Sequence, residues 1–275
     1  MTNRETYAKP VLNVKLFFRS VAVLIKLRLT FLVVISAVLG YLIAVPIASV
    51  SLSALVILSL GGIMVAGASN GFNQIWERNT DKLMKRTQER PLITGALGVR
   101  EALIICILLS LSGLLTLAFY FNFKVAILGA MALFTYVFIY TPMKKVSPLA
   151  VLVGAFPGAI PPMLGWVAAT GSFGLEAGVL FAVQFMWQFP HFWAIAWVAD
   201  DDYKKGGFKL LPFGERNRKS GFQILLYSLF LIPISLLPWM IGLTGIVSAI
   251  LVIIIGMGFS YYALRLFWDQ SIESA

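Results

Sequence analysis

The chain has 275 residues, of which 59% are apolar and only 12% charged, with a formal charge of +10. A soluble domain carries about twice that charged fraction, so the composition excludes one and points to a chain embedded in a bilayer. A single cysteine, Cys106, excludes an intrachain disulfide, and inside an apolar run it reads as a small buried hydrophobe.

The first 28 residues are polar overall, with no cleavable signal peptide evident. Lys15, Arg19, Lys26 and Arg28 alternate there with Leu16, Phe17, Phe18, Val21 and Leu24. Two readings are open: an amphipathic helix lying along the interface, or a topology signal only. Eight apolar runs follow, at about 29–48, 52–76, 102–121, 125–140, 149–169, 175–199, 221–240 and 246–267. Each is long enough to cross roughly 30 Å of hydrocarbon as helix. None shows the alternation of a membrane β-barrel. The expected fold is an all-α integral membrane bundle forming one domain over residues 1–275.

Lys and Arg cluster before 29, within 78–100, at 144–145, within 204–219 and at 265. Eight spans put all of these on one side, leaving only Lys124 on the other. The positive-inside rule makes that side cytoplasmic, N-terminus included. Basic residues confined to short loops argue against a nucleic-acid partner. The outer loops are short and poor in chemistry, so the work is expected at the cytoplasmic face.

The second run continues as NGFNQIWERNTDKLMKRTQERPL from Asn70 to Leu92. Continued as helix, Asn73, Glu77 and Asp81 fall at i, i+4 and i+8, a slanted row with steps of about 6 Å. Arg86 and Arg90 follow. Carboxylates beside an amide, with arginines just beyond, suit a metal-bound polyanion. A solvated helix end, with Glu77 and Asp81 paired to nearby bases, is the bland alternative. The full row at the mouth of a membrane helix favours the functional reading.

Between spans four and five, Tyr140, Lys144 and Lys145 share one membrane edge. Each lysine suits a phosphate as well as it suits topology. Glycines and prolines between Gly154 and Gly165 either let neighbours approach closely or widen a cavity. In span six Gln184, Gln188 and His191 share a face, and Pro190 is expected to kink the helix. His191, the only histidine, has three open roles: packing, proton carrier or haem ligand. Asp200, Asp201 and Asp202 then end the span, followed by Lys204, Lys205 and Lys209. This repeats the acids-then-bases layout of span two. It suggests two halves facing each other across a central cavity that opens to the cytoplasm.

The ordered set of motifs resembles the UbiA superfamily of intramembrane prenyltransferases, in its haem-farnesylating branch. It comprises Asn73-x3-Glu77-x3-Asp81, Arg86-Thr87, Arg90-Pro91, YTPMKK at 140–145, GAFPGAIPPMLGW at 154–166, WQFPHFW at 187–193, DDY at 201–203 and LLP at 210–212. The resemblance covers nearly the whole chain. Glu77 stands where the family usually has Asp, and the family usually has nine spans, so a ninth is expected to be missing after residue 275.

The resemblance implies transfer of farnesyl from farnesyl diphosphate to a vinyl group of haem B, giving haem O and diphosphate. Mg²⁺ is then held by Asn73, Glu77, Asp81, Asp201 and Asp202. Arg86, Arg90, Tyr140, Lys144 and Lys145 bind diphosphate. Trp187, Gln188 and His191 meet haem, which is a substrate and not a prosthetic group. The expected location is a bacterial-type inner membrane, with haem A synthase or terminal-oxidase assembly as candidate partners. The competing readings are a sister enzyme acting on an aromatic quinone precursor, a secondary transporter and a non-catalytic oxidase assembly factor.

Overall fold

The structure is a computed structural model that describes residues 14–271, and these are helical with short connections and no strand. The part of the N-terminal segment before residue 14 lies outside the described residues. Helix α1 (Val14–Leu24) turns through Lys26, whose φ of 46° is left-handed, into α2 (Leu27–Ala44). Helix α3 (Leu52–Asp81) is followed by the short α4 (Pro91–Thr94) and by α5 (Val99–Tyr120). Helix α6 (Phe123–Phe134), a π-helical turn (Thr135–Tyr140) and α7 (Thr141–Met143) form one continuous span. Helices α8 (Ala150–Thr170), α9 (Leu175–Val198), α10 (Asp200–Lys205), α11 (Arg218–Met240) and α12 (Ile246–Asp269) complete the chain.

Eight of these segments are long and apolar enough to cross a membrane, and they match the eight apolar runs to within a few residues. The protein is a multi-pass integral membrane protein. Helix α3 runs on to Asp81, so the polar row of the sequence is helical, as its spacing requires. Helix starts follow local chemistry. Ser51, Asn122 and Asn217 each accept the backbone N–H three residues ahead, satisfying donors a helix leaves bare. Pro190 sits within α9, which continues through it to Val198.

Successive spans pack as neighbours, and α2 folds back against α8, the most buried of the eight. In a bilayer, water does not drive helices together, so close backbone approach does much of the work. A Cβ on Gly165 would lie 1.8 Å from the Ala37 carbonyl oxygen, and one on Gly40 2.1 Å from that of Pro162. A Cβ on Gly154 would meet the Tyr140 ring at 2.6 Å, and one on Gly158 the Gln188 amide at 2.8 Å. The small residues of α8 therefore admit neighbours.

Gly165→Ala is expected to push α2 off α8 and lower the thermal midpoint in detergent, by an overpacking cost of about 1–3 kcal/mol. Gly178→Ala, with nothing within 4 Å of its added Cβ, leaves the midpoint unchanged.

Candidate active site

The last three turns of α3 carry two interleaved polar sets. Asn70 and Gln74 hold the corner between α1 and α2. Gln74 Nε2 donates to the Val23 and Leu24 carbonyls, at 3.0 and 2.7 Å. Asn70 Nδ2 donates to Thr30 Oγ1 at 3.1 Å, and that hydroxyl donates to the Ile25 carbonyl. These bonds fix the turn from which Lys26 projects. The second set is the row Asn73, Glu77 and Asp81, all buried.

Three cations close on the row from different elements. Lys144 pairs with Glu77, and Arg90 folds back to pair with Asp81. Lys26 Nζ lies 3.5 Å from Asn73 Oδ1, while Asn73 Nδ2 donates to Thr141 Oγ1 at 3.1 Å. Thr141 Oγ1, just past the π-helical turn, in turn donates to the Tyr136 carbonyl five residues back, near the start of that turn. Such turns recur at functional sites because they re-aim side chains. Here the turn supports the partner that orients Asn73.

Lys144 also lies 5.0 Å from the ring centres of Tyr140 and Phe208. Burial pulls the Lys144 ammonium below the usual lysine value, against the attraction of Glu77. Burial, then the charges of Arg90 and Lys144, pull Lys26 down to about 7. Lys26 is thus a third basic group beside two carboxylates already paired, and an added anion would favour its charged form.

The second acidic cluster is distributed differently from the expected metal row. Asp202 accepts the backbone N–H groups of Lys85 and Arg86, at 2.9 and 3.2 Å. Burial works against its charge, but those two bonds and the charges of Lys205 and Arg86 hold its carboxyl below the usual range. Asp200 is buried and pairs with Lys204 and Arg216. Asp201, 74% exposed, pairs with Arg216. The structure thus joins the two clusters through the 85–86 loop, and it does not bring Asp201 to the α3 row. Arg86 reaches across to donate to the Tyr203 hydroxyl at 3.0 Å, and the Lys209 N–H donates to the Lys144 carbonyl at 2.8 Å.

On α9 the shared face of Gln184, Gln188 and His191 divides. Gln188 is buried and donates to the Gly158 carbonyl at 3.2 Å. His191 stacks on Trp187, ring centres 4.2 Å apart. Gln184 and Trp187 line an open groove of about 360 Å³ between α2, α9 and α11. Lys145 is exposed.

The row suits a hard cation. Asp81 Oδ1 is buried with no hydrogen-bond partner, and Glu77 Oε1 has only the Lys144 ammonium. Nowhere among the described residues do three His, Cys, Asp or Glu side chains converge in ligand geometry. Two carboxylates and an amide leave coordination positions for water and for phosphate oxygens, the usual manner of holding Mg²⁺.

Lys26, Gln74 and Thr141 went unrecognised as site residues in the sequence. For Gln74 a signal was present: it and Asn70 are polar groups inside an apolar run, and such groups need partners from another element.

The fold and this buried, cation-rimmed row define a class, and sequence comparison agrees. A match to the UbiA prenyltransferase family spans residues 33–275, and the chain belongs to that family. The protoheme IX farnesyltransferase of Christiangramia forsetii is 49% identical over 91% of this chain and 84% of its own length. The enzyme of the same name from Flavobacterium johnsoniae is 46% identical over 98% of this chain and 91% of its own length. Among solved structures, digeranylgeranylglyceryl phosphate synthase superimposes with a TM-score of 0.77 at 19% identity, covering 94% of this chain and 90% of that one. A UbiA homologue from Archaeoglobus fulgidus, bound to DMAPP and Mg²⁺, gives 0.72 at 18% identity, covering 90% and 86%.

Proposed function

We infer that this chain transfers the farnesyl group of farnesyl diphosphate to a vinyl group of haem B. Water adds, and haem O and diphosphate are the products. The observation that carries the reading is the buried Asn73–Glu77–Asp81 row ringed by Lys26, Arg90 and Lys144. Four relatives named protoheme IX farnesyltransferase, 45–49% identical over at least nine-tenths of this chain, support the haem acceptor over a quinone precursor. The polar groups gather at one end of the bundle, which counts against a transporter with midplane sites.

Asn73, Glu77 and Asp81 would hold Mg²⁺, which supplies charge neutralisation of the diphosphate. The chain's own cations do the rest. Arg90, Lys26 and Lys144 lie where negative charge grows as the allylic C–O bond breaks, and fixed charges in a dry site stabilise it strongly. Asn73 is held by Thr141 through its amide nitrogen, which leaves its oxygen toward Lys26. Asp202 secures the backbone of the 85–86 loop and so positions Arg86 and Arg90. The farnesyl cation is then attacked by the vinyl carbon, water captures the resulting cation beside the ring, and a proton leaves. Trp187 and His191 offer a planar surface for the porphyrin, with Gln188 behind them. Asp201, exposed on α10 and paired with Arg216, and the exposed Lys145 are given no part in this reading. The chain works as one membrane domain, with its N-terminus and this site on the cytoplasmic side.

Lys26→Met is expected to raise KM for farnesyl diphosphate about tenfold, the loss of one charge-assisted hydrogen bond, with the thermal midpoint unchanged. Mass spectrometry of haems from cells expressing the wild type or Asp81→Ala tests the reading as a whole. Haem O accumulates with the first and is missing with the second. Equal haem O in both would overturn it.

A further inference from the structure

A second cleft, of about 380 Å³, lies between α1 and the 86–96 segment. Arg19 and Ser20 of α1 face Arg86, Glu89, Arg90 and Thr94 across it. Arg90 belongs to both sites, since its guanidinium pairs with Asp81 on the inner side. Arg19 is exposed and makes no ion pair among the described residues. Ser20 is 3% exposed and lines the cleft. With Arg90 offset by Asp81, Arg19 and Arg86 against the single carboxylate of Glu89 leave the cleft cationic. Its walls are amphipathic, because α1 turns Val14, Leu16 and Phe18 outward as an interfacial helix does.

We propose that this cleft is a phosphate-binding site outside the catalytic row, taking either the diphosphate that leaves past Arg90 or the headgroup of an anionic lipid. Planar guanidinium forks match phosphate oxygens, and Ser20 brings a hydroxyl to the cleft lining. A leaving diphosphate is one source because Arg90 forms the partition between the two sites. An anionic headgroup is the other because a basic amphipathic helix such as α1 attracts anionic lipid. The first source rests on the proposed transfer reaction; the second does not.

Native mass spectrometry of the full chain, offered inorganic diphosphate or phosphatidylglycerol in turn, separates the sources. The wild type should retain one more adduct of one anion than Arg19→Gln, with binding of that adduct about tenfold weaker in the variant. Arg19→Lys should recover part of it. Loss of the diphosphate adduct assigns the product; loss of the lipid adduct assigns the headgroup. Equal retention of both anions by wild type and Arg19→Gln overturns the proposal. Arg19 is exposed, so the thermal midpoint should not move. Farnesyl transfer is measured on the same preparations, so failure of the reaction reads out separately from failure of the cleft.

Discussion

Asp81→Asn lowers the turnover of haem farnesylation by about 10²–10³-fold, the size of effect seen when one preorganised charge-stabilising group is removed. The substitution keeps the shape of the side chain and removes only its charge. Asp81 Oδ1 is buried without a hydrogen-bond partner, so it is the oxygen best placed to meet a cation, and an amide there is a much poorer ligand. Arg90 loses its partner too, but its side chain is 17% exposed and gains some hydration. The protein therefore stays folded in detergent while haem O formation, followed by mass spectrometry, collapses. Asp201→Asn, at a carboxylate 74% exposed and paired with Arg216, is the informative contrast and has a much smaller effect.

Lys144→Met has the largest expected effect on stability. Lys144 and Glu77 are both buried and paired, and removing one partner leaves an uncompensated charge in the bundle. Such a break costs about 3–5 kcal/mol, whereas replacing both partners is often close to neutral. Glu77→Gln combined with Lys144→Met should thus recover most of the lost thermal midpoint and none of the lost turnover. A single variant as stable as the wild type would mean that Lys144 only sets topology. Lys145, exposed one residue on, supplies that control: Lys145→Met leaves stability unchanged.

Much of this was legible in the sequence, for physical reasons. A helix that crosses lipid must satisfy its backbone internally and cover about 30 Å with apolar side chains, so composition alone locates it. The Asn73–Glu77–Asp81 row is set by the period of one helix, and α3 preserves it. Features that depend on how elements meet were not legible. Lys26 looks like any topology-setting base until Gln74 grips the end of α1 and turns the lysine inward. Asp200, Asp201 and Asp202 read as one row, yet they serve three sets of partners: Lys204 with Arg216, Arg216, and the 85–86 backbone. Adjacent residues at a helix junction point apart, and only tertiary structure says where. The glycines of α8 allowed either a cavity or close approach; the Ala37 carbonyl against Gly165 shows the latter.

The most direct measurement incubates the purified full chain with farnesyl diphosphate and haem B, with and without Mg²⁺, and follows haem mass and released diphosphate together. Haem O and diphosphate should appear in equal amounts, only when Mg²⁺ is present. Unchanged haem B alongside intact farnesyl diphosphate, from folded protein supplied with Mg²⁺, would contradict the account.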